Sequence, residues 1–286
     1  LDIPQFNNAA AKEVGRYSEA LKLGFSRIET KGELSLEDLV AIQAVLVIGE
    51  PGTGIRTRPG TIVGNSATRK VIYTPPQDHD QIVELLERLL NFFNEAVDEG
   101  LDPLVRMALI HYQFEKIHPF YDGNGRSGRI LNLLYLVQHG LLDLPVLYLS
   151  RYIIREKNAY LTQLRTDPLD DNWEAWLAFM LRGVELTSME TIETIHQLRD
   201  LMAETQEKIK MQLPKIYSLD LVNTLFKHPY TKIDFVIRDV GVKRVTAGSY
   251  LDALAEAGFL EKQKIWRSNY YINVPLFKLL QGNYEG

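Results

Sequence analysis

The chain has 286 residues, 45% of them hydrophobic, with 32 basic against 37 acidic side chains and no cysteine. Its apolar content suffices for a sizeable core, its length suits one large and one small domain, and its mildly acidic balance provides no global field for nucleic acid. Disulfides and thiolate metal sites are excluded, and no apolar run reaches the roughly 18 to 20 residues that span a bilayer. A soluble cytoplasmic protein without membrane contact is therefore expected. The chain opens on Leu1 rather than methionine, with no leader-like segment, so further sequence is expected upstream.

Helical periodicity dominates. Ala10 to Leu23 reads as an amphipathic helix. Ser35 caps a second one, with Glu37 and Asp38 in its first turn. Between Gly49 and Pro76, glycine and proline are dense. Two β-branched pieces, Thr61 to Val63 and Val71 to Thr74, flank the polar stretch from Gly64 to Lys70, which predicts a small hairpin closed by Pro75 and Pro76. Helices resume over Gln81 to Val97 and over Pro103 to Lys116, the latter with proline at its first position. A loop from His118 leads into a helix over Arg126 to His139, stopped by Gly140. Further helices are predicted over Arg151 to Arg165 and from Trp173 to about Gln212, separated by a turn over Thr166 to Asn172. Trp173, Trp176 and Phe179 lie at near-helical spacing, as a core stripe does.

The pattern changes near Leu213. Three short helices (Leu219 to Phe226, Ile233 to Asp239, Arg244 to Ala257) precede two strands (Leu260 to Ile265, Asn269 to Asn273), an order that suggests a winged helix over 213–286. From Lys215 onward there are 10 basic against 7 acidic residues, a slight excess. Lys243, Arg244, Thr246, Ser249 and Tyr250 fall at the start of the third helix, where a DNA reader would meet phosphates or base edges, and Lys262, Lys264 and Arg267 would dress the wing. A dimer or protein dock is the other reading of this tail.

The densest chemistry is the run His118-Pro119-Phe120-Tyr121-Asp122-Gly123-Asn124-Gly125-Arg126-Ser127-Gly128-Arg129. Glycines permit positive φ, so successive N–H groups can turn toward one anion, and the helix that follows presents its own N–H groups and dipole. Arg126 and Arg129 are three apart and suit phosphate oxygens. Asp122 suits a Mg²⁺ shared with phosphates. His118 stands where a base would take a proton from an attacking hydroxyl. On these residues alone two readings stand: an anion site, or a capped helix start with solvated arginines.

The run resembles the H-P-F-x-[DE]-G-N-G-R-x-x-R signature of Fic-domain proteins at every fixed position. The resemblance continues through Gly54-Ile55-Arg56, Tyr73-Thr74-Pro75-Pro76, Ala108 to Phe114 and Tyr148 to Tyr152. It implies a mainly helical Fic domain over 1–212, with its core at about 38–185 and a flap at about 61–76, followed by the winged helix. It also implies transfer of AMP from ATP, with Mg²⁺, to a Ser, Thr or Tyr hydroxyl of a target protein, with self-modification as an expected side reaction. By the same resemblance His118 would be the base and Asp122 the Mg²⁺ ligand. Gly123, Asn124 and Gly125 would form the anion hole, and Arg126, Ser127, Gly128 and Arg129 would complete the phosphate site. Tyr152 and Asn158 would shape the adenine pocket, and Ile72, Tyr73 and Thr74 on the flap would dock the target as an added strand. Phe120 would anchor the loop. Long helices and the C-terminal domain suit a homodimer.

Many relatives carry an inhibitory [ST]-x-x-x-E-[GN] helix. No Ser or Thr here has Glu four positions later, so that element is expected upstream of Leu1. Two rival functions remain. One is a Fic-type transferase using another nucleotide or phosphate donor, against which the intact Gly125-Arg126 pair speaks. The other is a nucleotide-sensing transcriptional regulator that binds DNA through its tail.

Overall fold

The computed structural model describes residues 9–48, 52–64, 71–96, 100–165, 173–265 and 268–282. Most of the hairpin tip, the turn at 166–172 and Arg267 lie outside them. Among the described residues no helix is long and apolar enough to cross a membrane. Packing divides the described residues into a unit up to Ser188 and another from Met189 onward.

In the first unit the core is all-helical. α1 (Ala9–Lys31) runs more than two turns past the expected end, through Gly24. A β-carbon at Gly24 would lie 2.6 Å from Cδ1 of Leu134, so glycine here permits close helix packing. α2 (Leu36–Leu46) starts at the expected Ser35, whose hydroxyl accepts from the Asp38 N–H in a capping box. α3 (His79–Asn94) is capped by Asp78, and α4 (Pro103–Ile117) by Asp102. α5 (Asn124–Gln138) begins two residues before the expected Arg126. Its first helical bond closes early, because Gly123 adopts a left-handed conformation (φ +86°) and its carbonyl accepts the Ser127 N–H at 2.8 Å.

The expected helix over 151–165 is two, α6 (Leu149–Arg155) and α7 (Lys157–Arg165), bent at Glu156. α8 (Trp173–Gln212) follows as expected. Trp176 is buried and donates its indole N–H to the Ala108 carbonyl at 2.9 Å, which pins the start of α8 to α4.

The hairpin is shorter than anticipated: β1 (Val63–Gly64) pairs antiparallel with β2 (Val71–Tyr73), Val63 opposite Tyr73. Thr61 stays out of the ladder because the Gln77 side chain takes its carbonyl at 3.0 Å while accepting the Gly60 N–H at 2.6 Å.

In the second unit α9 (Leu219–Phe226), α10 (Ile233–Val240) and α11 (Arg244–Glu256) pack around Leu221, Val222, Leu225, Val236, Leu251 and Leu254. A two-residue strand that the sequence did not reveal, β3 (Tyr230–Thr231), joins β4 (Glu261–Ile265) and β5 (Ser268–Ile272) in a three-stranded antiparallel sheet of order β3-β5-β4. α12 (Val274–Gly282) ends the described chain.

Candidate active site

Residues 118–129 fold as a turn leading into α5, and its position is set from several directions. The buried side chain of Asn124 reaches back to Phe120. Its oxygen accepts the Phe120 N–H at 2.9 Å, and its amide donates to the Phe120 carbonyl at 2.8 Å. Gln43 of α2 donates to the Asp122 carbonyl at 3.0 Å and accepts the Gly54 N–H at 3.1 Å. Phe120 is fully buried, its ring centroid 6.2 Å from that of Phe114.

Arg56 supplies the firmest brace. It is fully buried and donates Nε to the His118 carbonyl at 2.9 Å, with Nη2 on the Pro76 carbonyl. Its backbone N–H meets the Pro119 carbonyl at 2.9 Å. His118 thereby caps α4 in the left-handed region (φ +48°), the one non-glycine residue at positive φ among those described.

An open cavity of about 390 Å³ is lined by Glu13, His118, Tyr121, Asp122, Gly123, Asn124, Gly125, Arg126 and Arg129. Seven of these belong to the set read from the sequence. Glu13 and Tyr121 do not, since Glu13 lies a hundred residues upstream and Tyr121 occupies a variable motif position. Arg126 donates to Asp122 at 2.9 Å and pairs with Glu13 at 3.2 Å. The Tyr121 hydroxyl accepts the N–H groups of Thr57 and Arg58 at 3.0 and 2.9 Å, tying the loop before the flap to the cavity rim.

Several expected roles change. Asn124 spends its side chain on Phe120, which leaves its backbone N–H as the group able to meet an anion. Gly123 alone among the motif glycines uses positive φ. Gly125 is helical, and a β-carbon there would lie 3.1 Å from Nη1 of Arg129. Ser127 is buried, and Gly128 abuts Glu115, Phe114 and His111, so neither lines the cavity.

Tyr152 and Asn158 are also outside it. Tyr152 is buried against Phe179 and Gly183, and Asn158 is exposed on α7. On the flap, Ile72 is half-buried and Thr74 exposed, while Tyr73 turns inward. Its hydroxyl donates to the Glu115 carbonyl and stands 3.4 Å from Nδ1 of His118.

Burial first, then the positive charge of Arg56, pull the His118 pKa down to about 4, so the imidazole is neutral at pH 7. Behind the loop, burial followed by Arg129 pulls His111 down to about 3. Nε2 of His111 meets the Tyr160 hydroxyl at 2.9 Å and Nδ1 the Gly128 carbonyl at 3.3 Å, so Nδ1 donates and Nε2 accepts.

In the second unit Lys243 precedes α11 as its cap and Arg244 pairs with Asp234 at 2.9 Å. Thr246 and Tyr250 are half-buried, and Ser249 is exposed. Asp252 and Glu256 share the outer face of α11 with Arg244 and Ser249.

The chain has known relatives. Residues 33–136 match the Fic/DOC family and residues 201–276 match the C-terminal domain of SoFic-like protein adenylyltransferases. The chain thus carries a Fic/DOC domain followed by a C-terminal domain of the SoFic-like type. It is 29% identical over 136 residues to protein adenylyltransferase fic-1 of Caenorhabditis elegans, covering 46% of this chain and 25% of that protein. With protein adenylyltransferase Fic of Nematostella vectensis the identity is 31% over 146 residues, covering 49% and 32%. The chain therefore aligns with about a quarter to a third of the length of these relatives. A Fic family protein from Desulfovibrio desulfuricans G20 shares the fold, with a TM-score of 0.53 at 22% identity over 92% of this chain and 74% of that one.

Proposed function

We propose that the chain is a nucleotidyltransferase that moves AMP from ATP to a Ser, Thr or Tyr hydroxyl of a protein and releases pyrophosphate. The carrying observation is that a neutral imidazole, two carboxylates, two guanidinium groups and an uncapped helix start line one cavity.

The hydroxyl oxygen attacks the α-phosphorus in line with the bond to pyrophosphate. As the P–O bond forms, the hydroxyl proton passes to Nε2 of His118, the nitrogen turned from Tyr73. Arg126 leaves its carboxylate partners for phosphate oxygens, and Arg129 takes the distal phosphates. The N–H groups that open α5 receive charge developing on the α-phosphate. Among the described residues no cluster of three or more His, Asp and Glu side chains would hold a metal by protein alone. One carboxylate plus phosphate oxygens suits Mg²⁺, so Asp122 would hold the ion, which would neutralise phosphate charge.

A target segment adding to the flap edge near Ile72 and Thr74 would present the hydroxyl. The C-terminal unit is read as a winged helix. A DNA phosphate backbone there would have to displace Asp234 from Arg244 and Asp252 from Lys262, so protein docking is the preferred role.

Incubation with Mg²⁺ and ATP labelled at the α-phosphate, read by intact mass, tests the reaction. Gain of one adenylyl group on the chain or on a target, lost in His118→Ala, is expected. Gain of a phosphoryl group without the α-label would overturn it in favour of another phosphate transfer.

A further inference from the structure

Directly behind the phosphate loop lies a carboxyl group that the reaction above does not use. Glu115, on the last turn of α4, is buried, and its Oε1 has no hydrogen-bond partner. That oxygen lies 2.8 Å from where a β-carbon on Gly128 would be and 3.8 Å from the same point on Gly125, which in turn is 3.1 Å from Nη1 of Arg129. Carboxylate and guanidinium thus converge on one side of the first turn of α5. The Arg129 Nε is likewise buried without a partner.

The other groups facing Glu115 leave little to hold its charge. From α4 comes His111, held neutral by burial. From α7 comes Tyr160, its hydroxyl raised by burial, then by Glu115 itself. From β2, Tyr73 spends its hydroxyl on the backbone carbonyl of Glu115. Arg129 is the cation that opposes burial, and the balance leaves the carboxyl titrating at about 7.

We infer that Glu115 is a positioning residue for Arg129, and that its carboxylate takes up a proton from solvent when an anionic ligand engages that guanidinium. The step is simple: one carboxylate becomes one carboxylic acid as phosphate oxygens take over the cation that had stabilised it. This rests on the reading that nucleotide phosphates occupy the cavity. In consequence the empty site keeps a charged carboxylate near Arg129, and the filled site avoids a buried anion behind the phosphates.

The test is calorimetric titration of Mg²⁺-ATP into the full chain at about pH 7.5 in two buffers of different ionisation enthalpy. Uptake of a large fraction of one proton is expected, with affinity falling about fivefold from pH 7 to 8. Glu115→Gln, which keeps the shape, is expected to abolish both the uptake and the pH dependence. Saturable binding without proton uptake, or equal uptake in Glu115→Gln, would overturn the role of Glu115 alone. Absence of saturable binding would overturn the nucleotide reading and this one with it. Should Glu115→Gln fail to fold, saturable binding without proton uptake by the unsubstituted chain still overturns the role of Glu115.

Discussion

The Tyr73 hydroxyl stands 3.4 Å from Nδ1 of His118, and both groups turn toward the Glu115 carbonyl. A flap residue thus meets the Nδ1 edge of an imidazole that lines the cavity. Tyr73→Phe is expected to lower the turnover rate about tenfold with little change in the Km for ATP, as loss of base orientation does. A matched rise in Km would place Tyr73 in nucleotide binding instead.

His118 is held neutral well below the usual histidine range, at about 4. The acid limb of the rate is therefore expected near pH 4, not near the 6.5 of a free imidazole. Because the folded pKa is depressed, unfolding takes up a proton, and stability is lost as pH falls from 6.5 toward 4. Thermal midpoints across that window should fall less steeply in His118→Ala, which is also expected to abolish transfer while ATP still binds.

For Glu115 the sign is opposite in effect: its carboxyl is raised from 4.5 to about 7, so ionisation works against the fold as pH rises through that range. At about 1.4 kcal/mol per pKa unit the upper bound is about 3.5 kcal/mol. Glu115→Gln is expected to melt higher than the native chain at pH 8, with the gain shrinking at pH 5. A gain that is equal at both pH values would deny that the carboxyl titrates there.

Gly128 and Gly15 are both helical glycines with opposite surroundings. A β-carbon at Gly128 meets Glu115 Oε1 at 2.8 Å and Phe114 Cδ1 at 3.0 Å, whereas at Gly15 it meets nothing within 4 Å. Denaturant unfolding should show Gly128→Ala destabilised by about 1 to 3 kcal/mol. Gly15→Ala should be stabilised by up to about 1 kcal/mol.

Arg126 is shared between Asp122 and Glu13. Since Glu13 is more than half exposed, its hold is modest. Glu13→Ala is expected to tighten ATP two- to threefold by freeing Arg126 for phosphate, on the order of 0.5 kcal/mol. Unchanged affinity in calorimetry would show that the pair does not compete with the nucleotide.

The motif, its helix and most helix boundaries were legible because they rest on local rules: Ser35 as a cap, Pro103 at a first position, a 3.6-residue apolar period. Groups that enter the site from elsewhere left no such trace. Glu13 sits in an ordinary charged helix, and Glu115 reads as one more polar residue in α4, so only folding shows that it is buried. The motif glycines look equivalent in sequence, yet Gly123 serves backbone direction while Gly125 and Gly128 serve space. The asparagine, read as an anion donor, closes a loop because its amide matches both backbone groups of Phe120. Tyr230 and Thr231 are too short a strand for any alternation to register.

Position 118 answers to two incompatible demands. Arg56 and the end of α4 impose a left-handed backbone there, the shape glycine takes freely and side-chain-bearing residues resist by about 1 kcal/mol or more. A chain refined for folding alone would drift to glycine at this point, whereas the proposed proton transfer requires the imidazole. His118→Gly is therefore expected to outlast His118→Ala on heating, although both lack the base. Their difference in stability reads out the strain that the native histidine carries at this position.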